Sequence, residues 1–338
     1  MEAGQQDQNY GGLDAFRMIA AFLVIAIHTS PLTMLNADAD FFLTRILARL
    51  AVPFFFMVTG QFILSGSEIW DYIKKIALLY AAAILIYLPV GIYAGHYKNL
   101  TIRQALQMLV FDGTFYHLWY FPACIIGVLV VYVLRRFLSI HATLVVTGIL
   151  YLIGLFGDSY YGLAAKIPVI SSVYDMGFQI FSYTRNGLFL APIFLLTGAI
   201  TGNRNQKYTF NPINSGIGFI ISFLLMTVEG MALRHFHLQR HDSMYLFLIP
   251  CMFFLYQLLL SWKVNIKSGK QIRTLSTWIY ILHPAVIVLV RGIARFLNMT
   301  PLLVENSLIH YFAVCIFSAG ISWGIVCLTA RRNPVNQR

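Results

Sequence analysis

Charge is what this chain has least of. Only 11% of its 338 residues are Asp, Glu, Lys or Arg, against about 25% in ordinary soluble domains. That excludes a water-solvated globular surface. Acids are scarcer than bases, 13 against 24. Cysteine is scarce too: Cys124, Cys251, Cys315 and Cys327 all lie in apolar runs without metal-ligand spacing. They read as small membrane-core residues, which argues against a disulfide framework or a thiolate metal site. The first ten residues contain no Lys or Arg. They do not form the basic start of a signal peptide, so the first apolar run is expected to stay as an uncleaved anchor. Long internal repeats and low-complexity stretches are also lacking.

What the chain has instead is long apolar runs between short polar connections, with 59% hydrophobic residues and mean hydropathy +0.72. This predicts an all-α polytopic membrane protein. About ten spans are expected, at 13–35, 41–65, 72–95, 117–137, 142–157, 185–202, 213–233, 243–261, 275–297 and 304–330. Residues 100–111 read as a short amphipathic helix at the membrane interface. The organisation expected is a cytoplasmic segment over 1–12, a membrane domain over 13–330 and a cytoplasmic tail over 331–338. Basic residues concentrate on one set of connections, among them Lys74, Lys75, Arg135, Arg136, Arg204, Lys207, Lys263, Lys267, Lys270, Arg273, Arg331, Arg332 and Arg338. Most acids fall on the other set. The positive-inside bias then places both termini in the cytoplasm and the protein in the cell membrane. It accounts for the net charge of +11 with no nucleic-acid partner.

Several polar residues sit where lipid-facing residues should not. Arg17 and His28 share the first span, and an ionisable group at membrane depth needs a partner or water. Eleven steps of about 100° bring both to one helix face, about 16 Å apart along the axis. Arg45 and Arg49 are one turn apart before Pro53 and read equally as snorkelling anchors or as site residues. His117-Leu-Trp-Tyr-Phe-Pro122 is expected to open the fourth span, with Trp119 and Tyr120 in the aromatic belt. Arg185 is expected to open the sixth. Glu229 is expected to close the seventh, followed by a polar segment from Leu238 to Tyr245. His283-Pro284 reads as a kink or packing bond, and Arg291 and Arg295 as interfacial. His235, His237 and His241 lack further ligands, so no metal is expected.

At these residues the chain resembles acyltransferase family 3 membrane proteins. The Arg17 and His28 spacing is similar to that family's first-span signature. Val52-Pro-Phe-Phe-Phe-Met-Val-Thr-Gly60, His117-Leu-Trp-Tyr-Phe121 and Ser276-Thr-Trp-Ile-Tyr-Ile-Leu-His-Pro284 look like its later motifs. More narrowly, Gly-Gly-Leu-Asp-Ala-Phe-Arg17 and Leu238-Gln-Arg-His-Asp-Ser-Met-Tyr245 resemble the membrane half of VanT-type serine racemases of vancomycin-resistant Gram-positive bacteria. The resemblance implies a family-3-like bundle joined to a C-terminal racemase domain that carries pyridoxal phosphate. That domain would lie outside the 338 residues, so no cofactor is expected in this chain.

Two chemistries follow from the resemblance. In the first, the membrane domain binds or imports L-serine. Arg17, Arg49, Arg185 or Arg240 would meet the carboxylate, and Glu229 or Asp242 the ammonium. Tyr245, Tyr120, Gln61 or Thr59 would meet the hydroxyl, with His28 and His117 beside them. In the second, the domain is an O-acyltransferase. His28 would act as general base, while Arg17 and the cytoplasmic basic residues would hold the phosphates of acyl-coenzyme A.

Overall fold

In the computed structural model every regular element among the described residues is helical. The structure describes residues 10–64, 68–202, 211–266 and 268–332, with backbone alone over 330–332. Most of the expected segments 1–12 and 331–338 lie outside it, as do Arg204, Lys207 and Lys267. The apolar helices are α1 (Gly11–Thr29), α2 (Ala37–Ile63), α3 (Ile69–Tyr93), α4 (Tyr120–Phe137), α5 (Ile140–Phe156), α6 (Ala191–Gly202), α7 (Pro212–His235), α8 (Leu248–Ser261), α9 (Gly269–Phe296) and α10 (Ser307–Arg332).

Among the described residues seven of these are long and apolar enough to cross a bilayer; α5, α6 and α8 are shorter, at 17, 12 and 14 residues. Large apolar side chains stay exposed along the long helices: Leu78 is 72% exposed, Val228 67% and Ile316 68%. Such surface fits a hydrocarbon solvent, and helices satisfy their backbone within themselves there. The chain is an all-α polytopic membrane protein.

The expected spans fall on these helices, but their ends move for local reasons. α1 stops at Thr29 because Ser30 turns left-handed, with φ 45°. Asn36 starts α2 by accepting from the N–H groups of Asp38 and Ala39. Pro53 cannot donate an N–H to the preceding turn, and there the helix tightens to 3₁₀ over Leu47–Leu50. The short helix expected over 100–111 is present as Ile102–Gln107, continued by a wider turn over Met108–Asp112. A capping box between Thr101 and Gln104 opens it. Two short helices over Tyr161–Ala164 and Pro168–Gly177 fill a connection that the sequence reading left blank.

The chain divides into two compact units, Met1–Ala51 with Gln257–Arg338, and Val52–Tyr256. In the first, α1, α9 and α10 pack on one another. Ala21, Ile25, Ile279, Ile287, Val290 and Val314 form their shared core. The helical spacing of these positions puts them on facing stripes. In the second unit, α4 packs against α3 and α6, and α5 against α6. Its tightest approach is at two glycines. A Cβ on Gly60 would lie 1.8 Å from the Leu195 carbonyl oxygen, and one on Gly198 2.0 Å from that of Met57. Backbone meets backbone there, the small-residue packing of membrane helices.

Candidate functional site

In the first unit, α1 carries its polar residues at two levels. Near its start the Asp14 carboxylate is 5% exposed and joins two guanidiniums through one oxygen: Arg17 Nε lies 3.3 Å and Arg273 Nε 3.2 Å from Oδ1. Arg17 is therefore part of a triplet of net charge +1 rather than a solitary interior cation. Three turns on, His28 stacks on His283, with ring centroids 5.3 Å apart and planes at 25°. The local sequence explains the second ring. Pro284 has no N–H for the carbonyl of Tyr280, four residues back. The Nδ1–H of His283 donates to that carbonyl instead, at 2.8 Å. A carbonyl only accepts, so the hydrogen is fixed on Nδ1 and Nε2 carries the lone pair. The expected packing bond is there, but the same bond also orients a neighbour of His28. Arg49 sits half-buried in the 3₁₀ turn of α2.

In the second unit, two carboxylates organise the connections. Glu229 is 8% exposed and lies inside α7, which runs on to His235, so it does not close the helix as expected. Its Oε1 accepts from Tyr160 Oη at 2.8 Å and from the Leu246 N–H at 2.6 Å, and its Oε2 from the Phe247 N–H at 3.0 Å. These are the free donors before α8. A carboxylate placed there caps the helix, and it delays the helix start to Leu248 from the expected 243. Burial, then the nearby Glu229 charge, pushes the Tyr160 phenol well above its usual range, so it stays a donor.

Asp158, 1% exposed, does the same for the preceding residues. Its Oδ1 accepts from Ser243 N–H at 2.7 Å and Met244 N–H at 3.0 Å, and its carbonyl from Arg240 N–H at 3.1 Å. The fully buried Tyr245 gives its carbonyl to Tyr151 Oη at 2.6 Å. The polar segment Leu238–Tyr245 is thus a loop pinned through its backbone.

Around it, three cationic or titratable groups gather on the ring of Tyr183. Arg185 lies 4.4 Å and Arg240 5.9 Å from its centroid, and the His241 ring 4.9 Å away. Arg185 also covers Trp119 at 4.6 Å; Arg240 covers Phe178 at 3.6 Å and donates to the Ser182 carbonyl at 2.8 Å. Such cation–ring contacts hold a guanidinium without neutralising it. Asp242 follows two residues after Arg240 in the same loop. Arg185 lies before α6 rather than in it, because Asn186 accepts from the N–H groups of Leu188 and Phe189 and turns the chain first.

The remaining expected residues are packed elsewhere in this unit. His117 precedes α4 in a turn and is 1% exposed among Tyr87, Phe115 and Tyr116. Tyr120 stacks on Phe56 at 5.1 Å, and Trp119 faces Arg185, so both rings pack against neighbours within this unit. The sequence reading missed Asp158, Tyr160 and Tyr183. For Asp158 and Tyr160 the only signal was an acid and an aromatic run in a connection between apolar segments.

The sequence profile described as an acyltransferase domain matches residues 10–327. Among curated proteins, an amino-acid racemase of Enterococcus faecalis is 40% identical over 341 residues, covering 97% of this chain and 47% of its own length. A second amino-acid racemase of that organism is 38% identical, covering 91% and 44%. A serine/alanine racemase of Enterococcus gallinarum is 36% identical, covering 95% and 46%. The chain thus spans about half the length of the curated relatives it matches. No solved structure matches it. With the profile running through all the apolar helices, the chain belongs to the acyltransferase-domain family, Acyl_transf_3.

Proposed function

We propose that this chain is a membrane module that binds L-serine and supplies it to a pyridoxal-phosphate-dependent racemase domain of the same polypeptide. The observation that carries the reading is the reach of the relatives. Proteins named as racemases match 91–97% of this chain, yet it covers less than half of each. The D-serine made by such a protein would enter D-Ala-D-Ser cell-wall precursors, the chemistry of vancomycin resistance. In this reading the protein lies in the cell membrane with both termini cytoplasmic. The basic residues Lys74, Lys75, Arg135, Arg136, Lys263 and Lys270 at one set of helix ends support that orientation.

The second unit supplies a fitting chemistry. A zwitterion needs a cation and an anion at short range. Arg185 and Arg240 meet at the ring of Tyr183, and Asp242 stands in the same pinned loop. Ligand-dependent melting of the purified chain tests this. L-serine is expected to raise the midpoint with concentration, by about 2.7 kcal/mol of stabilisation at a hundred times Kd, while acetyl-coenzyme A leaves it unchanged.

The family match and the His28–His283 pair favour acyl transfer as the second reading. There His28 takes the proton of an acceptor hydroxyl, and the Asp14, Arg17 and Arg273 triplet offers its surplus charge to the phosphates of acyl-coenzyme A. A midpoint raised by acetyl-coenzyme A and indifferent to serine would replace the first reading with this one.

In whichever assay responds, Arg17→Ala is expected to reduce the ligand-dependent shift severalfold. Lys74→Ala is expected to leave it unchanged. Lys74 is 77% exposed and only 3.8 Å from an equally exposed Asp71, a pair that contributes little. Equal losses from the two substitutions would reduce Arg17 to a structural anchor.

A further inference from the structure

The geometry points to a one-proton binding site made by His28 and His283 and reached along α10; coupling of that proton to serine movement rests on the reading above. The two imidazoles are stacked at 5.3 Å between centroids. Face to face, two imidazolium rings repel each other, and neither can turn an N–H toward the other. One proton on the pair therefore opposes a second. The rings differ in what they can do with it. His283 is fully buried and its Nδ1–H is committed to the Tyr280 carbonyl. His28 is half-buried. The single proton therefore rests on His28, added from water to a ring lone pair and returned to water when it leaves.

The charged and titratable groups on the neighbouring elements are few. The cations on these elements are Arg45 and Arg49 on α2, which packs against α1, and Arg291, two turns along α9 from His283. Asp40, on α2, already accepts from the Leu32 N–H. Asp14, the acid on α1 itself, is held by its two arginines a long way down the helix. On α10, His310 gives its Nδ1–H to the Leu303 carbonyl, and Tyr311 and Cys315 bracket the shared core.

A second, independent observation lies on α10. Ser318 and Ser322 are fully buried, and their hydroxyls have no hydrogen-bond partner among the described residues. In a membrane helix serine ordinarily bonds back to the carbonyl one turn before. Here the hydroxyls are left for something else. α9 and α10 run antiparallel about a short connection, and Ile287 and Val314 share one core. His283 stands one turn before Ile287 on α9, Ser318 one turn after Val314 on α10, and Ser322 one turn farther. The two hydroxyls make a buried polar stripe on the helix that packs against α9. A hydroxyl that both donates and accepts can pass a proton along hydrogen-bonded water.

Nitrogen-15 histidine NMR of the full chain in nanodiscs tests the site without serine. His28 is expected to titrate, with His283 staying neutral on the Nδ1–H tautomer over the same range. In His28→Gln, with the opposing charge gone, His283 is expected to take its proton at least about one pH unit higher than in the parent. His28→Asn gives the same test if the glutamine variant folds poorly. An unmoved midpoint in a folded variant, or two rings titrating independently, overturns the proposal. In proteoliposomes an imposed proton gradient should raise L-serine uptake severalfold in the parent and not in His28→Gln. Ser318→Ala with Ser322→Ala should slow the gradient-driven part. Serine uptake indifferent to the gradient overturns the coupling while leaving the serine reading intact. No uptake, with the coupled titration still present, supports the proton site and sinks the serine reading.

Discussion

Gly198→Ala is expected to leave little folded protein. The added methyl would stand 2.0 Å from the Met57 carbonyl oxygen and 2.5 Å from its carbonyl carbon. The atoms in the way are backbone, so no rotamer change relieves the clash, and α2 and α6 would have to separate. Overpacking that side chains can absorb costs about 1–3 kcal/mol; here the cost is expected at or above the top of that range. Gly60→Ala meets the Leu195 backbone in the same way, at 1.8 Å. Gly148 and Gly216 have nothing within 4 Å of a built Cβ. Alanine there removes a helix penalty of about 0.5–1 kcal/mol and should be neutral or stabilising. Yield of monodisperse protein and melting midpoint check all four. A Gly198→Ala protein that melts with the parent would refute the backbone contact.

Glu229→Ala is the second large effect. The carboxylate is 8% exposed and accepts from three donors. Removing it leaves two backbone N–H groups and the Tyr160 hydroxyl without an acceptor in a poorly hydrated place. Hydrogen bonds to a charged acceptor contribute about 1.5–3 kcal/mol each, and stranded donors add their desolvation cost. A loss of about 3 kcal/mol or more is expected, read as a lower melting midpoint. Tyr160→Phe removes one of the three donors and should cost about 1 kcal/mol. If Glu229→Ala melts like the parent while serine-dependent stabilisation disappears, Glu229 is a ligand residue and its capping contributes little. The reverse result makes it a cap.

These two sites show what was legible in the sequence. Apolar runs located every long helix, because bilayer thickness fixes their length and composition together. The Arg17 and His28 register was legible because eleven residues make three helical turns. The partners of these groups were not. Asp14 to Arg273, His28 to His283 and Glu229 to Leu246 join residues far apart in the chain, and periodicity carries no information about such pairs. Helix starts at α6 and α8 moved inward because Asn186 before α6, and Glu229 and Asp158 before α8, hold free backbone donors. Polar residues beside an apolar run look alike whether they begin the helix or cap it from outside. The Arg240 and Asp242 loop was legible as a mixed-charge segment; the aromatic platform under Arg240 was not, since Phe178 and Tyr183 come from another connection.

The proline after His283 has a consequence for traffic through the first unit. An imidazole normally relays by taking a proton on one nitrogen and releasing another from the opposite nitrogen. His283 cannot do this while its Nδ1–H holds the Tyr280 carbonyl. Any proton that reaches its other nitrogen must leave by the same door. The ring is a dead end and not a wire, so a membrane protein that keeps buried imidazoles can do so without short-circuiting the gradient across it.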